Sequence, residues 1–225
     1  MSRDNRVLLL IGSPKKAGST SESLGDYLLG SLGNKGFETE KIQVVQALRT
    51  PEGISELLWA TDTADILLLV FPLYVDSLHS GVIRALELIA CHRAELKQRR
   101  RQKLVAISNS GFPEAHHSEV ALAICRRFAG QAGFDWAGGL ALGGGEAIAG
   151  IPLDKAGGRA RFARQALDMV ADALEKGMPV PQEAVELMGR PFIPKWMYIW
   201  FGSMGWKRLA KKNGVLHDLQ CRPFE

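Results

Sequence analysis

The segment Gly12–Ser21 places glycine, lysine and hydroxyl side chains directly after an uninterrupted apolar run, Val7–Ile11. Two lysines, Lys15 and Lys16, bring positive charge to this segment. Its hydroxyl side chains, which can act as neutral hydrogen-bond donors, are those of Ser13, Ser19, Thr20 and Ser21. The apolar residues of Glu22–Leu32 then recur at helical spacing, so the segment leads into a helix N-terminus. Free N–H groups and the helix dipole favour an anion there, which predicts a phosphate-binding loop.

The common nucleotide-binding motifs do not fit this segment. A P-loop requires a lysine after its second glycine, but Gly18 is followed by Ser19. A Rossmann fingerprint requires a second glycine where Pro14 stands, and the later run Gly143–Gly145 lacks the third glycine, so a flexible turn is its expected meaning. The segment therefore suits one terminal phosphate monoester, with Ser21 as the expected helix cap. An ordinary serine-capped turn is the alternative interpretation.

Two further loops carry groups suited to a planar ring. Tyr74 follows the most apolar run of the chain and can stack on a heterocycle. Gly111 follows another apolar run and lies among backbone N–H groups, beside a second aromatic ring. Because ligands bind where the strands of an open parallel sheet end, the three loops predict one crevice. The residues of the two ring-binding loops are Pro72, Leu73, Tyr74, Val75, Asp76, Asn109, Ser110, Gly111 and Phe112.

Strand and helix patterns alternate from Arg6 to about Lys176. The predicted strands are Val7–Ile11, Phe37–Val45, Asp65–Phe71, Leu104–Ser108 and Trp136–Leu142. The predicted helices are Glu22–Leu32, Ser55–Ala64, Ser80–Leu96, Glu119–Gln131 and Ala156–Lys176. Such alternation indicates βαβ units, so we predict an α/β fold in which a five-stranded parallel sheet carries helices on both faces.

The composition suits one sizeable core with an appendage, because the chain has 225 residues, of which 46% are hydrophobic. Two prolines in Gly177–Pro181 indicate the exit from this core. We therefore predict a ligand-binding α/β domain at 1–178 and a C-terminal helical arm at 179–225. No apolar run reaches the roughly 18 residues of a membrane-spanning helix, so none is expected.

Three cysteines, Cys91, Cys125 and Cys221, lie far apart without metal-binding spacing, so we expect no metal site and no disulfide framework. Cys91 and Cys125 fall in apolar helical patterns, which predicts that both are buried. Since the N-terminus also lacks the long apolar core of a signal peptide, a cytoplasmic protein is the expected reading.

The C-terminal arm combines aromatic and basic residues. Trp196, Trp200 and Met204 recur every four residues, which predicts an amphipathic helix that Gly202 and Gly205 weaken. Six basic residues and no acidic residue occupy 190–212, a pattern compatible with peripheral membrane contact. The preferred interpretation is an arm packed on its own domain or across a homo-oligomer such as a dimer.

The segments GSPKKAGSTS, FPLYVDSLHSGVIRALE and SNSGFPE resemble the NADPH-dependent FMN reductase group of flavodoxin-like proteins in order and spacing. The resemblance covers roughly residues 6–176 and implies a flavodoxin-like fold with FMN as cofactor. It implies that Pro72–Asp76 and Asn109–Phe112 flank the isoalloxazine ring. Ser80-Gly81 and Arg84 stand where the family often has Pro-Gly and lysine at the rim of the site. The FMN phosphate would be held by Ser13, Ser19, Thr20 and Ser21.

By this resemblance the chain is an oxidoreductase that moves a hydride from NAD(P)H through the flavin to a small acceptor, such as a quinone or free flavin. His79, His116 and His117 lie near the crevice in sequence and are weak candidates for proton donation; no catalytic residue is assigned. The expected partners are this small-molecule acceptor and further copies of the chain, and no nucleic acid.

Two other functions remain open. One is an electron carrier of the flavodoxin type, which has no substrate of its own; such carriers are commonly strongly acidic, whereas this chain has a net charge of +4. The other is a non-catalytic flavin-binding module that acts through interactions of its arm.

Overall fold

Five parallel strands form a single sheet in the order β2-β1-β3-β4-β5. The computed structural model describes residues 6–96 and 100–221 of the chain. The strands are β1 Arg6–Ile11, β2 Glu38–Gln43, β3 Ile66–Pro72, β4 Lys103–Asn109 and β5 Asp135–Leu142. The predicted five-stranded parallel sheet is therefore confirmed.

Helices connect the strands and continue beyond the last of them. They are α1 Thr20–Asn34, α2 Val44–Ala47, α3 Pro51–Thr63, α4 Ser80–Glu95, α5 Glu119–Ala132, α6 Arg161–Glu175, α7 Gln182–Met188 and α8 Lys195–Lys212. Short 3₁₀ turns at Ala115–Ser118 and Gly157–Ala160 lead into α5 and α6, respectively. The first of these lies next to the carboxyl end of β4, where it becomes relevant to the candidate site.

The central strands are buried on both faces, which explains their uninterrupted apolar sequences. On one face, Leu9 and Leu68 belong to a core cluster that includes residues of α1, α6 and α7. On the other face, Leu8 and Leu67 belong to a cluster that includes residues of α3, α4 and α5. The central strands β1, β3 and β4 therefore contribute alternate side chains to two separate cores, and the helices predicted on both faces of the sheet are present.

Two local features differ from the sequence predictions, and one agrees with them. Helix α1 begins at Thr20 with Ser19 as its cap, so the prediction of Ser21 as the cap is wrong. Cys91 is exposed rather than buried, because it lies on the outer side of α4. Cys125 is buried as predicted, and this burial raises the pKa of its thiol to about 12.

The chain divides into two compact units, residues 1–192 and 193–225. The division falls later than the predicted boundary after residue 178, because α7 belongs to the first unit. Ala184 and Met188 of α7 are buried with the core cluster of α1 and α6. The N–H group of Val180 also donates to the carbonyl oxygen of Ala137 in β5, at 2.8 Å. The loop after α6 is therefore part of the α/β unit.

The second unit contains α8 and a short 3₁₀ turn, Leu216–Asp218. Helix α8 continues without a break through Gly202 and Gly205. Within the described ranges, no helix is both long enough and apolar enough to cross a membrane.

Candidate functional site at the carboxyl edge of the sheet

The sheet has a topological switch point between β1 and β3. The chain leaves β1 toward β2 on one side, and it leaves β3 toward β4 on the other, so the two loops diverge and leave a crevice. Gly12 begins the first loop, and its N–H group donates to the carbonyl oxygen of Val70 at 2.8 Å. A Cβ atom at Gly12 would lie 2.8 Å from that of Phe71, so glycine allows the loop to start directly against β3.

The first loop turns into α1 through a cap made by Ser19. The Ser19 hydroxyl oxygen accepts from the Glu22 N–H group at 3.1 Å, and the Glu22 carboxylate accepts from the Gly18 N–H group at 2.8 Å. This reciprocal pair is close to a capping box. Earlier in the loop, the Ser13 hydroxyl oxygen accepts from the Lys15 N–H group at 3.3 Å. Ser13 and Ser19 are buried, whereas Lys15 is exposed.

Glu22 places a carboxylate beside the predicted phosphate loop, and Lys41 compensates its charge. The Lys41 ammonium lies 3.3 Å from Glu22 and 2.9 Å from Asp26. Partial burial disfavours the charged form of Lys41, but hydrogen bonds and attraction from Asp26 and Glu22 outweigh it and raise the pKa of the amine. The carboxylate nearest to the loop therefore faces a permanent positive charge at neutral pH.

Thr20 and Ser21 are the first two residues of α1, so helix geometry leaves their N–H groups without intrahelical partners. Their hydroxyls are used inside the protein. The Thr20 hydroxyl donates to the carbonyl oxygen of Gly145 at 3.0 Å, and the Ser21 hydroxyl accepts from the Asn109 side chain at 2.8 Å. The two residues thus offer backbone donors at the helix start while their side chains connect α1 to other loops.

Asn109 joins three of the loops at this edge. Its side-chain amide donates to the Ser21 hydroxyl and, at 3.0 Å, to the carbonyl oxygen of Phe71. Its own carbonyl oxygen accepts from the N–H group of Leu73 at 2.8 Å. The loops that follow β1, β3 and β4 are therefore connected through one buried amide.

The loop after β5 lies against the same edge. Gly145 donates to the carbonyl oxygen of Ser110 at 2.8 Å and accepts from Thr20, while Gly144 donates to the carbonyl oxygen of Phe112 at 2.6 Å. Sequence reasoning interpreted Gly143–Gly145 only as a flexible turn and missed this contribution. The sequence contains a signal for this contribution: Gly143–Gly145 follows the last predicted strand, and a loop that follows a parallel strand begins at the carboxyl edge of the sheet.

The loop after β3 contains a tight turn in an unusual conformation. Tyr74 and Ser77 exchange two backbone hydrogen bonds, of 2.9 and 3.0 Å. Between them, Val75 and Asp76 have φ angles of 45° and 60°. A left-handed conformation is strained for a β-branched residue, and such strain is concentrated at binding and active sites. The turn exposes 95% of Val75 and 44% of Tyr74 at the rim.

Aromatic rings lie in the loops after both β3 and β4. Tyr74 meets His79 edge to face, with ring centroids 5.4 Å apart. Phe112, which is 56% exposed, packs against His117 with ring centroids 4.7 Å apart and the rings tilted by 44°. His117 packs against His116 at 4.4 Å, with a tilt of 33°. The carboxyl edge therefore offers exposed aromatic surface on two loops, of the kind that binds flat rings.

The histidines have local structural partners. The Nδ1 atom of His79 accepts from the Gly81 N–H group at 3.0 Å, so this side chain caps α4 and its Nε2 atom carries the proton in the neutral ring. His117 lies 3.9 Å from the carboxylate of Glu114. Among the described residues, no group of three or more His, Cys, Asp or Glu side chains is arranged to hold a metal ion.

Comparisons with known proteins were informative only at the level of structure. No model of a protein family matches the chain, and no curated protein matches it in sequence. An FMN-dependent NADH-azoreductase from Bacillus anthracis str. Ames Ancestor, solved in complex with FMN, is similar with a TM-score of 0.54. It is 14% identical, and the match covers 76% of this chain and 100% of that chain.

Two further solved structures are similar over more of the chain. RosB, solved with the bound intermediate 8-demethyl-8-formylriboflavin-5′-phosphate, gives a TM-score of 0.57 at 15% identity and covers 89% of this chain and 86% of its own. The apo form of an NADH:FMN oxidoreductase, EMOB, gives 0.54 at 15% identity, covering 84% and 96%. The strand order β2-β1-β3-β4-β5 and these likenesses together show that the chain adopts the flavodoxin-like fold.

Proposed function

We propose that the chain binds FMN at the carboxyl edge of the sheet and transfers a hydride from NAD(P)H to a small acceptor, such as a quinone or free flavin. The observation that carries this proposal is the network around Asn109, which connects the hydroxyl-rich loop after β1 to the ring-bearing loops after β3 and β4. In this proposal, that network holds a phosphate site and a ring site in one crevice. The resemblance in sequence and the similarity to structures solved with FMN or with a flavin phosphate bound support the same cofactor.

The donor set suits one phosphate monoester. In this proposal the N–H groups of Thr20 and Ser21 face the phosphate at the positive end of α1. The hydroxyls of Ser13 and Ser19 each accept one hydrogen bond from the backbone, which leaves the hydroxyl hydrogen for donation to the phosphate. Lys15 adds an exposed positive charge. The hydroxyls of Thr20 and Ser21 serve instead to hold the loops together.

The ring would lie between the exposed aromatic residues of two loops. Tyr74 and Val75 form the side contributed by the loop after β3, and Phe112 forms the side contributed by the loop after β4. The backbone of Asn109–Gly111 would then face one edge of the ring, where N–H groups favour negative charge. When bound, FMN supplies the hydride-transfer chemistry, and the protein positions it and excludes competing groups.

The phosphate assignment is tested by comparing FMN with riboflavin, which lacks the phosphate. We expect flavin-depleted protein to quench FMN fluorescence with an affinity at least tenfold higher than for riboflavin. In the variant Ser13→Ala/Ser19→Ala this preference should fall by roughly tenfold or more, since hydrogen bonds to charged groups contribute about 1.5–3 kcal/mol each. The control Ser55→Ala removes an exposed hydroxyl on α3 and should retain the preference. Equal affinity of the native protein for FMN and riboflavin would contradict the phosphate site.

The reaction is tested by steady-state oxidation of NADH and NADPH with a quinone or with free FMN as acceptor. Multiple turnovers per bound flavin are expected. A protein that binds FMN but shows no turnover with either nucleotide would be an electron carrier or a non-catalytic flavin-binding module instead. A protein that binds no flavin would contradict the proposed function.

A further inference from the structure

Helix α8 changes character along its axis. From Trp196 to Trp206 it contains no charged residue, and it carries three of the five tryptophans of the chain. Its final turns then contain Lys207, Arg208, Lys211 and Lys212. At 100° per residue, Trp196 and Phe201 lie on nearly opposite sides of the helix, so apolar groups surround the first part rather than forming one stripe. A single apolar stripe would suit packing of one face onto a protein core; this arrangement does not.

The second unit has almost no interior of its own. Of its described residues whose burial is known, 193–194 and 196–221, only Ala210 is buried. Trp196 and Trp206 are 69% and 70% exposed, and Trp200 is 54% exposed. Tryptophan is a costly residue to leave in water, because one side chain presents 150–250 Å² of largely apolar surface. The concentration of such side chains on one short helix indicates a binding surface.

The charge of the chain is concentrated in the same unit. Residues 193–225 contain six lysines and arginines against two acidic residues, so they carry the whole net charge of +4. The preceding 192 residues are therefore neutral in sum. A partner chosen by charge must be anionic, and neither a second copy of the basic arm nor a neutral α/β unit meets that requirement.

We propose that α8 docks on the surface of a phospholipid bilayer that contains anionic headgroups. Tryptophan and basic residues are the side chains that suit the boundary between acyl chains and headgroups, where the ring is buried and the charge meets phosphate. A nucleic acid would use the basic turn but leave the uncharged turns, with their aliphatic and methionine side chains, without a role. The bilayer accommodates both parts of the helix, and this proposal does not depend on flavin binding.

The uncharged part of α8 is too short to cross a bilayer. Eleven residues, Trp196–Trp206, form a helix about 16 Å long at 1.5 Å per residue, whereas the hydrocarbon core of a bilayer is about 30 Å thick. The segment is therefore too short to span the bilayer, and it lies along the interface of one leaflet. Lys195 precedes the segment and four basic residues follow it, so both ends of the segment stay at the headgroups.

Flotation of the full-length protein with vesicles tests the proposal. We expect co-flotation with mixed phosphatidylcholine–phosphatidylglycerol vesicles and a roughly thousandfold lower affinity for pure phosphatidylcholine vesicles, since each of the four basic residues near an anionic surface contributes about 1 kcal/mol. Raising the salt concentration should weaken binding to the mixed vesicles. Failure to float with the mixed vesicles at low salt would overturn the proposal.

Matched variants separate the arm from general surface properties. Lys211→Gln/Lys212→Gln should lower the affinity for mixed vesicles roughly thirtyfold, whereas Arg126→Gln/Arg127→Gln removes two exposed charges from α5 and should leave it unchanged. Trp206→Ala should likewise weaken binding, and Trp59→Ala, which removes a 57% exposed tryptophan from α3, should not. Equal losses in the arm and control variants would contradict docking through α8.

Two other partners of α8, a nucleic acid or a second copy of the chain, would give different results in these experiments. A nucleic-acid partner would make a DNA or RNA oligonucleotide bind with higher affinity than the mixed vesicles, and Trp206→Ala would then affect vesicles and oligonucleotide unequally. An arm-mediated homo-oligomer would dissociate in the Trp206→Ala variant when measured by light scattering, without vesicles present. Either result, together with no flotation, overturns the membrane proposal in favour of that partner.

Discussion

Close approach between two loops makes Gly150 the most constrained position near the candidate site. Its φ angle is 75°, a conformation that favours glycine. A Cβ atom added to Gly150 would overlap the carbonyl oxygen of Gly18 in the loop after β1. The loop after β5 therefore supports the predicted phosphate loop through the backbone, and this support leaves no room for a side chain.

We expect Gly150→Ala to displace the loop that contains Gly18 and to lower FMN affinity roughly tenfold or more, because positioning errors of about 1 Å have large effects at preorganised sites. Titration of flavin fluorescence measures this change. Gly157→Ala is the matched control, since Gly157 also has a positive φ angle, of 63°, but nothing lies within 4 Å of its added Cβ. The control should lose only about 1–2 kcal/mol of stability through backbone strain. Equal FMN affinities of the two variants would contradict a supporting role for Gly150.

At the scale of secondary-structure elements, the buried guanidinium of Arg93 connects helices on one face of the sheet. From α4, it donates to the carbonyl oxygen of Ala132 at 2.7 Å and to that of Gly133 at 3.3 Å, which satisfies the C-terminus of α5. It also hydrogen-bonds the side chain of Gln102 and lies 4.0 Å from the ring centroid of Phe134. One cation therefore stabilises the negative end of a helix dipole while it is stacked on an aromatic ring.

Gln102 extends this network to a third helix. Its side-chain amide donates to the carbonyl oxygens of Thr61 and Ala64, at 2.5 and 2.6 Å, where α3 ends. The end of α3, the body of α4 and the end of α5 are thus held at the start of β4. These contacts lie opposite the candidate site and bear on stability rather than on ligand binding.

We expect Arg93→Met to lower the free energy of unfolding by about 2–4 kcal/mol, because it leaves buried carbonyl oxygens and the Gln102 side chain without a donor. Urea denaturation followed by circular dichroism measures the loss. Arg126→Met, an exposed change on α5, should stay within about 0.5 kcal/mol of the native protein. A loss of similar size in both variants would show that the hydrogen bonds of Arg93 do not stabilise the fold.

At the scale of the whole molecule, the α/β unit extends past its last long helix. The Val180 N–H group is bonded to β5, and Ala184 and Met188 complete the core on the α6 side. A Cβ atom at Gly138, in β5, would lie 2.6 Å from that of Val180, so the strand and the segment after α6 are in close contact. The prolines near residue 178 therefore mark a turn within the unit and not its end.

Two truncated chains test this boundary. A chain that ends at Phe192 should unfold cooperatively, whereas one that ends at Met178 should be less stable than it by about 2–4 kcal/mol or fail to fold, because it loses the buried Met188 side chain. Thermal and urea unfolding of the two chains provide the comparison. Equal stability would place the boundary at the earlier position.

Much of this protein follows from the order of its residues. Strands buried on both faces require uninterrupted apolar runs such as Ile66–Phe71, so the strands and their parallel arrangement were predictable. The three loops of the candidate site were predictable for the same reason, since parallel strands deliver their carboxyl ends to one edge. The lysines and hydroxyls after β1 indicated an anion because the chemistry of a helix start is local.

Only the tertiary structure decided how those loops are joined. The bond between Asn109 and Ser21 spans 88 positions, and the one between Thr20 and Gly145 spans 125. No local propensity reports such partners, because they are set by the packing of helices on the sheet. That packing made the glycine-rich turn after β5 a support for the predicted phosphate loop, since buried polar groups must find partners wherever the fold brings them.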